Sequence, residues 1–183
     1  MVLLTRHTRP AVPADLCYGR LEVPLAATAP IEIEAVCARL SAVERVVTSP
    51  AQRCIRLARA VATRFGASLE CEPDLRELDF GDWEGRSWSQ IGRPALDAWS
   101  RDLWSYRPGG GESLADLWGR VVNMVQRRKL ERVHAAPGCL LIVAHHGPLR
   151  VLQCLADGRG WAGFSEPHFA FGVLGLRVWR STI

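Results

Sequence analysis

Short continuous apolar runs alternate along this chain with longer stretches in which apolar residues recur every three or four positions. Val2-Leu3-Leu4-Thr5 reads as a buried strand, and Thr8 to Pro30 as a loop punctuated by Pro10, Pro13, Gly19, Pro24 and Pro30. Ile31 to Leu40 carries helical spacing, and Arg45-Val46-Val47-Thr48 is a second strand. Ser49-Pro50-Ala51-Gln52 then predicts a helix start, with Ser49 as N-cap, Pro50 at the first helical position and Gln52 three residues after the cap; Gly66 stops the helix after Phe65. Ser68 to Cys71 suggests a third strand, Asp74 to Gly85 an irregular segment, and Trp88 to Trp99 short helices. Beyond Gly109-Gly110-Gly111 the spacing predicts a long helix from about Ser113 to His134. A continuous apolar strand follows from Cys139 to Ala144, then a helix from Leu149 to Ala156 and a last strand from Val173 to Trp179.

Strands alternating with helices predict a three-layer α/β/α fold with a mostly parallel central sheet. In such sheets ligands bind outside the carboxyl ends of the strands. Arg6-His7, Ser49 with its helix, and His145-His146 all lie just past such ends, so three remote segments converge on one crevice.

At 183 residues and 48% hydrophobic content, the chain suits a single domain, residues 1 to 183, with a substantial core. Its formal charge of +4, from 23 basic and 19 acidic residues, is too mild and dispersed for a nucleic-acid footprint, and Arg127-Arg128-Lys129 reads as a solvated helix face. The six cysteines form no C-x-x-C pair and sit in apolar surroundings, which points to reduced core residues and a cytoplasmic setting. No stretch is long and apolar enough for a signal peptide or a membrane span. A small anionic partner fits this balance best.

The candidate chemistry lies at the strand ends. A cationic cluster, Arg6-His7-Thr8-Arg9, where a strand normally runs into neutral turn residues, suggests a nearby anion. Arg53 falls in the first helical turn, where backbone N–H groups and the positive dipole end favour an anion and a guanidinium can clamp phosphate; its alternative is an ordinary surface arginine. His7 could be ligand, base, nucleophile or simply a structural residue. A fully apolar strand delivering His145-His146 to a glycine-containing turn is costly without a polar task. Glu77 is flanked by apolar residues that would desolvate it, as a general acid requires, with Asp79, Asp82 and Glu84 as rivals in the same loop. Trp83, Trp88, Trp99 and Trp104 crowd a segment suited to lid packing or to stacking on a substrate ring.

Taken in order, Arg6-His7-Thr8, Thr48-Ser49-Pro50-Ala51-Gln52-Arg53-Cys54, Leu75-Arg76-Glu77-Leu78-Asp79-Phe80-Gly81-Asp82-Trp83-Glu84-Gly85, Gly110-Gly111-Glu112-Ser113 and Val143-Ala144-His145 with Arg150 resemble the histidine phosphatase (phosphoglycerate mutase-like) superfamily. Cys17-Tyr18-Gly19-Arg20-Leu21-Glu22 is most similar to its alpha-ribazole phosphatase branch. The resemblance implies a phosphoglycerate mutase-like fold and a metal-independent phosphomonoester hydrolase of cobalamin biosynthesis that needs no cofactor. It further implies that His7 is a nucleophile forming phosphohistidine, that Arg6, Arg53 and His145 hold the phosphoryl oxygens, and that Glu77 protonates the leaving alkoxide. His7 would attack as neutral imidazole while His145 works best protonated, so the site is expected to push their pKa values apart. Departures are Thr8 for the usual glycine, Glu22 for aspartate and His146 for a small residue.

Other readings of the same residues are a phosphoglycerate mutase, a broad-specificity sugar phosphatase, a metallohydrolase, and a non-enzymatic phosphate sensor. No local ligand spacing supports a metal site. A sensor has no need of Glu77 beside the leaving group.

Overall fold

The computed structural model describes residues 1–130, 138–165, 169–172 and 174–177. Five strands, β1 (Val2–Arg6), β2 (Arg45–Thr48), β3 (Ser68–Cys71), β4 (Leu140–Ala144) and β5 (Leu174–Arg177), form one sheet in the order β3-β2-β4-β1-β5. The first four are parallel, and β5 runs antiparallel to β1. The predicted mostly parallel sheet is therefore present, with one antiparallel edge.

Alternation along the strands separates two helical layers. Leu3, Val46, Leu141 and Val143 pack with α1 (Ala29–Ala38) and α2 (Gln52–Phe65). Val2, Leu4, Val47, Leu140 and Ile142 face α5 (Leu114–Arg128) and α6 (His146–Ala156) on the other side. Two short helices, α3 (Trp88–Ile91) and α4 (Arg93–Arg101), lie in the segment between β3 and α5. Every β4 residue is buried, as its unbroken apolar run requires of a central strand. Truncating such a residue, for example Leu141→Ala, should cost about 2–5 kcal/mol in stability.

Several boundaries differ from the pattern-based expectation. Pro30 belongs to the first turn of α1, where its fixed φ is compatible with a helix start. The N-cap of α2 is Ala51 rather than Ser49, and Ala51 makes no side-chain capping bond. Instead the Gln52 N–H donates to both Glu22 carboxylate oxygens at 3.2 Å, so an acidic side chain from the preceding loop caps the helix. Gly66 does end α2, at φ 64°. Helix α5 opens on a capping box between Ser113 and Asp116 and ends at Lys129, which adopts φ 52°. The expected continuation toward His134 enters residues 131–137, outside those described. The α6 helix begins at His146, three residues before the expected Leu149, directly after β4.

Two compositional readings also change. All six cysteines are free, but only five are buried: Cys71 is exposed because β3 is the sheet's outer strand and all four of its residues face solvent. Arg127 and Arg128 are not merely a solvated face. Arg128 Nε lies 2.6 Å and Arg127 Nη2 3.1 Å from the carboxylate of Glu72, whose residue is only 3% exposed. That pairing offsets the cost of burying the carboxylate and holds its pKa below the usual range despite desolvation.

Candidate active site

Register brings the candidate residues to one sheet edge. Arg6 pairs with Ala144 and Thr48 with Val143, so β1, β2 and β4 end at the same level. The ladder then continues one residue further: His7 N–H donates to Ala144 O and Ser49 N–H to Val143 O, both at 3.0 Å. His7, Ser49 and His145 thus leave the sheet side by side, held by backbone bonds rather than by loop conformation.

The two imidazoles meet edge to face, with ring centroids 5.1 Å apart. Each residue is 1% exposed. His7 Nδ1 lies 2.7 Å from Thr8 O, and since a carbonyl can only accept, Nδ1 carries the proton and Nε2 retains its lone pair. Around His145, Arg53 Nε donates to Nδ1 at 3.3 Å and Ser49 Oγ stands 2.8 Å from Nε2. With Nδ1 accepting, Nε2–H donates to the Ser49 hydroxyl. Both imidazoles are pushed well below the ordinary histidine pKa. For His7 burial is the largest cause, followed by the Arg53 charge; for His145 burial again leads, followed by His7 and then Arg53. Burial and the Arg53 charge thus act in the same direction on both rings, where opposite tuning of the pair was expected.

Two guanidiniums border the pair. Arg53, 1% exposed, also donates through Nη1 to Leu21 O at 2.8 Å and through Nη2 to Gly19 O at 2.6 Å, which ties the 19–21 loop to the sheet edge. Arg6 donates to Phe169 O at 3.2 Å and lies 3.8 Å over the Phe171 ring. Its Nε is buried without a hydrogen-bond partner among the described residues, a donor available to an anion.

Glu77 projects from the segment after β3 toward the start of α6. The Gly147 N–H donates to Oε1 at 3.0 Å and Oε2 at 3.3 Å, placing the carboxylate at a helix N-terminus. A Cβ on Gly147 would collide with Oε1, so glycine is required there for this approach. The Glu77 carbonyl accepts from Arg20 Nε at 3.2 Å and Arg120 Nη2 at 3.1 Å, and Glu112 holds both guanidiniums. Glu77, Arg53 and His145 line one cavity with Arg20, Arg76 and Pro50.

The rival carboxylates have other tasks. Asp79 accepts from Gly81 N and Arg20, and Glu84 from the backbone N–H groups of Arg20, Leu21 and Phe80; Asp82 is exposed. The 109–111 glycines pack backbone to backbone against the 79–83 segment instead of offering N–H groups to the cleft, and no side chain would fit between Gly109 and Phe80 O. Phe80, Trp83, Trp88 and Trp99 form one ring cluster, with centroids 5.7–6.2 Å apart. Trp104 packs with Trp118 and Trp161. His146 lies next to Arg150, with Nε2 3.5 Å from Nη1, and lines a separate apolar cavity. Among the described residues, no group of three or more His, Cys, Asp or Glu side chains could hold a metal ion, and no helix is long and apolar enough to cross a membrane.

Sequence reasoning missed Ser49 as a partner of His145, because S-P-A-Q imitates a local cap. It also missed Tyr18, whose hydroxyl is 3.5 Å from Arg6 Nη2 and whose ring lies 5.3 Å from Arg53 Cζ. The only local signal was its place in the Cys17-Tyr18-Gly19 block.

Paired imidazoles flanked by arginines at the carboxyl edge of a parallel sheet define a class, and the chain belongs to the histidine phosphatase superfamily (branch 1), whose family model matches residues 2–176. Within it, the chain is 34% identical over 144 residues to a bifunctional protein of Mycobacterium tuberculosis, covering 76% of this chain but 38% of that protein. The chain thus spans well under half the length of that relative. Its fold is similar to the crystal structure of the alpha-ribazole phosphatase from Shigella flexneri, at TM-score 0.84 and 24% identity, over 94% of this chain and 87% of that one. A mycobacterial glucosyl-3-phosphoglycerate phosphatase superposes at TM-score 0.75 and 23% identity, over 89% and 82%. At these identities the two structures establish the fold alone.

Proposed function

We propose that the chain hydrolyses phosphomonoesters through a phosphohistidine on His7. The observation that carries this reading is the Nδ1–H to Thr8 O bond, which leaves a buried imidazole with a free Nε2 lone pair beside two guanidiniums. In the first step Nε2 attacks phosphorus, the P–O bond to the alcohol breaks, and Glu77 gives its proton to the departing oxygen. In the second, Glu77 takes a proton from water as the water oxygen attacks phosphorus, and the P–N bond breaks to release phosphate and restore His7. Arg6, Arg53 and His145 hold the phosphoryl oxygens, with His145 taking up a proton as the dianion arrives. Fixed positive charge at the equatorial oxygens supplies most of the rate enhancement in such transfers and needs no metal.

The resemblance of the 17–22 block and the likeness in fold support alpha-ribazole 5'-phosphate as substrate, with a place in cobalamin biosynthesis. The decisive experiment measures phosphate release from this ester alongside sugar, nucleotide and glycerate phosphates, with an alkaline denaturing quench to trap the acid-labile, base-stable phosphoenzyme. His7→Ala should abolish both turnover and trapped phosphate. Interconversion of phosphoglycerates faster than phosphate release would instead make the chain a mutase, and binding of phosphate without turnover of any ester would make it a sensor.

A further inference from the structure

We infer that the apolar cavity on the other side of Glu77 from Arg53 and His145 is a second ligand site, which takes a monocarboxylate with a compact apolar body and holds its charged end on Arg150. The site is distinct from the phosphate cradle and does not depend on the phosphatase reading.

The placement of Glu77 joins the two cavities. It lines the cleft that contains Arg53 and His145, and it also lines this second cavity of about 170 Å³, which neither of those residues reaches. Its carboxylate is fixed there by the Leu78 N–H, which donates to Oε1 at 3.0 Å, and by the Gly147 N–H. Gly147 is wedged between that carboxylate and Leu117, a wall of the second cavity, so the backbone at the start of α6 helps to close the passage between them. An occupant of the second cavity therefore contacts the residue that serves the first without meeting the groups that hold phosphate.

The walls and the charge select the occupant. Phe80, Trp99, Leu103, Leu114, Leu117 and Phe164 offer an apolar surround, and the polar side consists of Glu77, His146 and Arg150. Among the described residues the Arg150 guanidinium meets the Phe164 ring at 4.1 Å and His146 Nε2 at 3.5 Å, but it forms no ion pair with a carboxylate. Its Nε is buried without a hydrogen-bond partner. Burial lowers the pKa of Arg150 from the ordinary arginine value, which marks a cation short of compensation. A carboxylate can pair with the Nε–Nη2 edge through both oxygens and supplies what is missing. One guanidinium neutralises one charge, so a phosphate dianion would bring uncompensated charge into apolar surroundings.

The test compares 4-methylpentanoate with its neutral isostere 4-methylpentanamide by titration calorimetry, with saturating orthophosphate present to fill the cradle. The wild-type chain should bind the carboxylate about tenfold or more tightly than the amide. Arg150→Met keeps the bulk and removes the charge, and should bring that ratio below about threefold. Should Arg150→Met fail to fold, Leu103→Asp, at a position 43% exposed on the cavity rim, should lower the ratio to the same extent by repelling the carboxylate alone. A wild-type ratio near one, an undiminished ratio in folded Arg150→Met or Leu103→Asp, or displacement of 4-methylpentanoate by orthophosphate would overturn the assignment. The measurement involves no turnover, so its failure leaves the phosphatase reading in place, and an inactive chain that still prefers the carboxylate keeps the second site.

Discussion

Acidification from pH 7.5 to 5.5 acts directly on the buried imidazole pair. His7 and His145 both have folded-state pKa values well below 6.5, with burial as the leading cause in each case. In the unfolded chain each titrates near 6.5, so below that pH the unfolded chain binds protons that the folded one rejects. Stability is therefore fully present above 6.5 and is lost as the pH falls toward the folded values. One pH unit below 6.5 removes about 1.4 kcal/mol per imidazole, or about 3 kcal/mol for the pair. For a chain of this length that is a fall of roughly 6–12 °C in Tm. The lowered carboxylate pKa values of Glu72 and Asp116 act in a lower window, so a scan that stops at pH 5.5 isolates the histidines. Urea unfolding at half-unit pH intervals measures the slope. A His7→Gln, His145→Gln double variant should flatten it, and saturating orthophosphate should reduce it by favouring the imidazolium form of His145. Stability that is level from pH 6.5 to 5.5, or a slope that survives the double substitution, would refute the reasoning.

Arg53→Ala should lower kcat/KM by roughly a hundredfold or more, because it removes a phosphate clamp and also frees the Leu21 and Gly19 carbonyls; Arg53→Lys should recover little, since one ammonium cannot bond both carbonyls and His145 at once. Gly147→Ala should cost at least about tenfold in kcat with a smaller change in KM, because its methyl group displaces the Glu77 carboxylate. Arg120→Met should lower kcat by about tenfold and shift the pH–rate profile, by releasing the Glu77 backbone from its Glu112-held clamp. Excess EDTA should leave phosphate release unchanged, a comparison of initial rates being sufficient to check it.

Much of this arrangement was readable from local pattern, and the exceptions share one cause. An apolar strand that yields a histidine at its end placed His145 at the sheet edge, and the cationic cluster closing the first strand placed His7 there. The three-layer class and the mostly parallel sheet followed from the alternation of strands with helices, whereas the strand order did not. Ser49 was assigned to capping because Ser-Pro-Ala-Gln satisfies every local rule, whereas its hydroxyl serves His145, almost a hundred positions away. Arg127 and Arg128 seemed solvated because Glu72 is distant in sequence but adjacent in space. Cys71 was read as a core residue, but its strand ends up outermost in the sheet. In each case a partner remote along the chain outweighed the neighbours.

The placement of β4 between β1 and β2 has a bearing on biosynthesis. A ribosome delivers the first two of these strands long before the third, so the middle of the sheet is filled only after most of the polypeptide has been made. Until then the nascent chain holds His7 and Arg53 without the neighbour that aligns them, and it exposes apolar strand edges that favour association with other chains. A tight anionic inhibitor would consequently report on completed molecules alone, and a chaperone would find its best target in the interval before β4 docks.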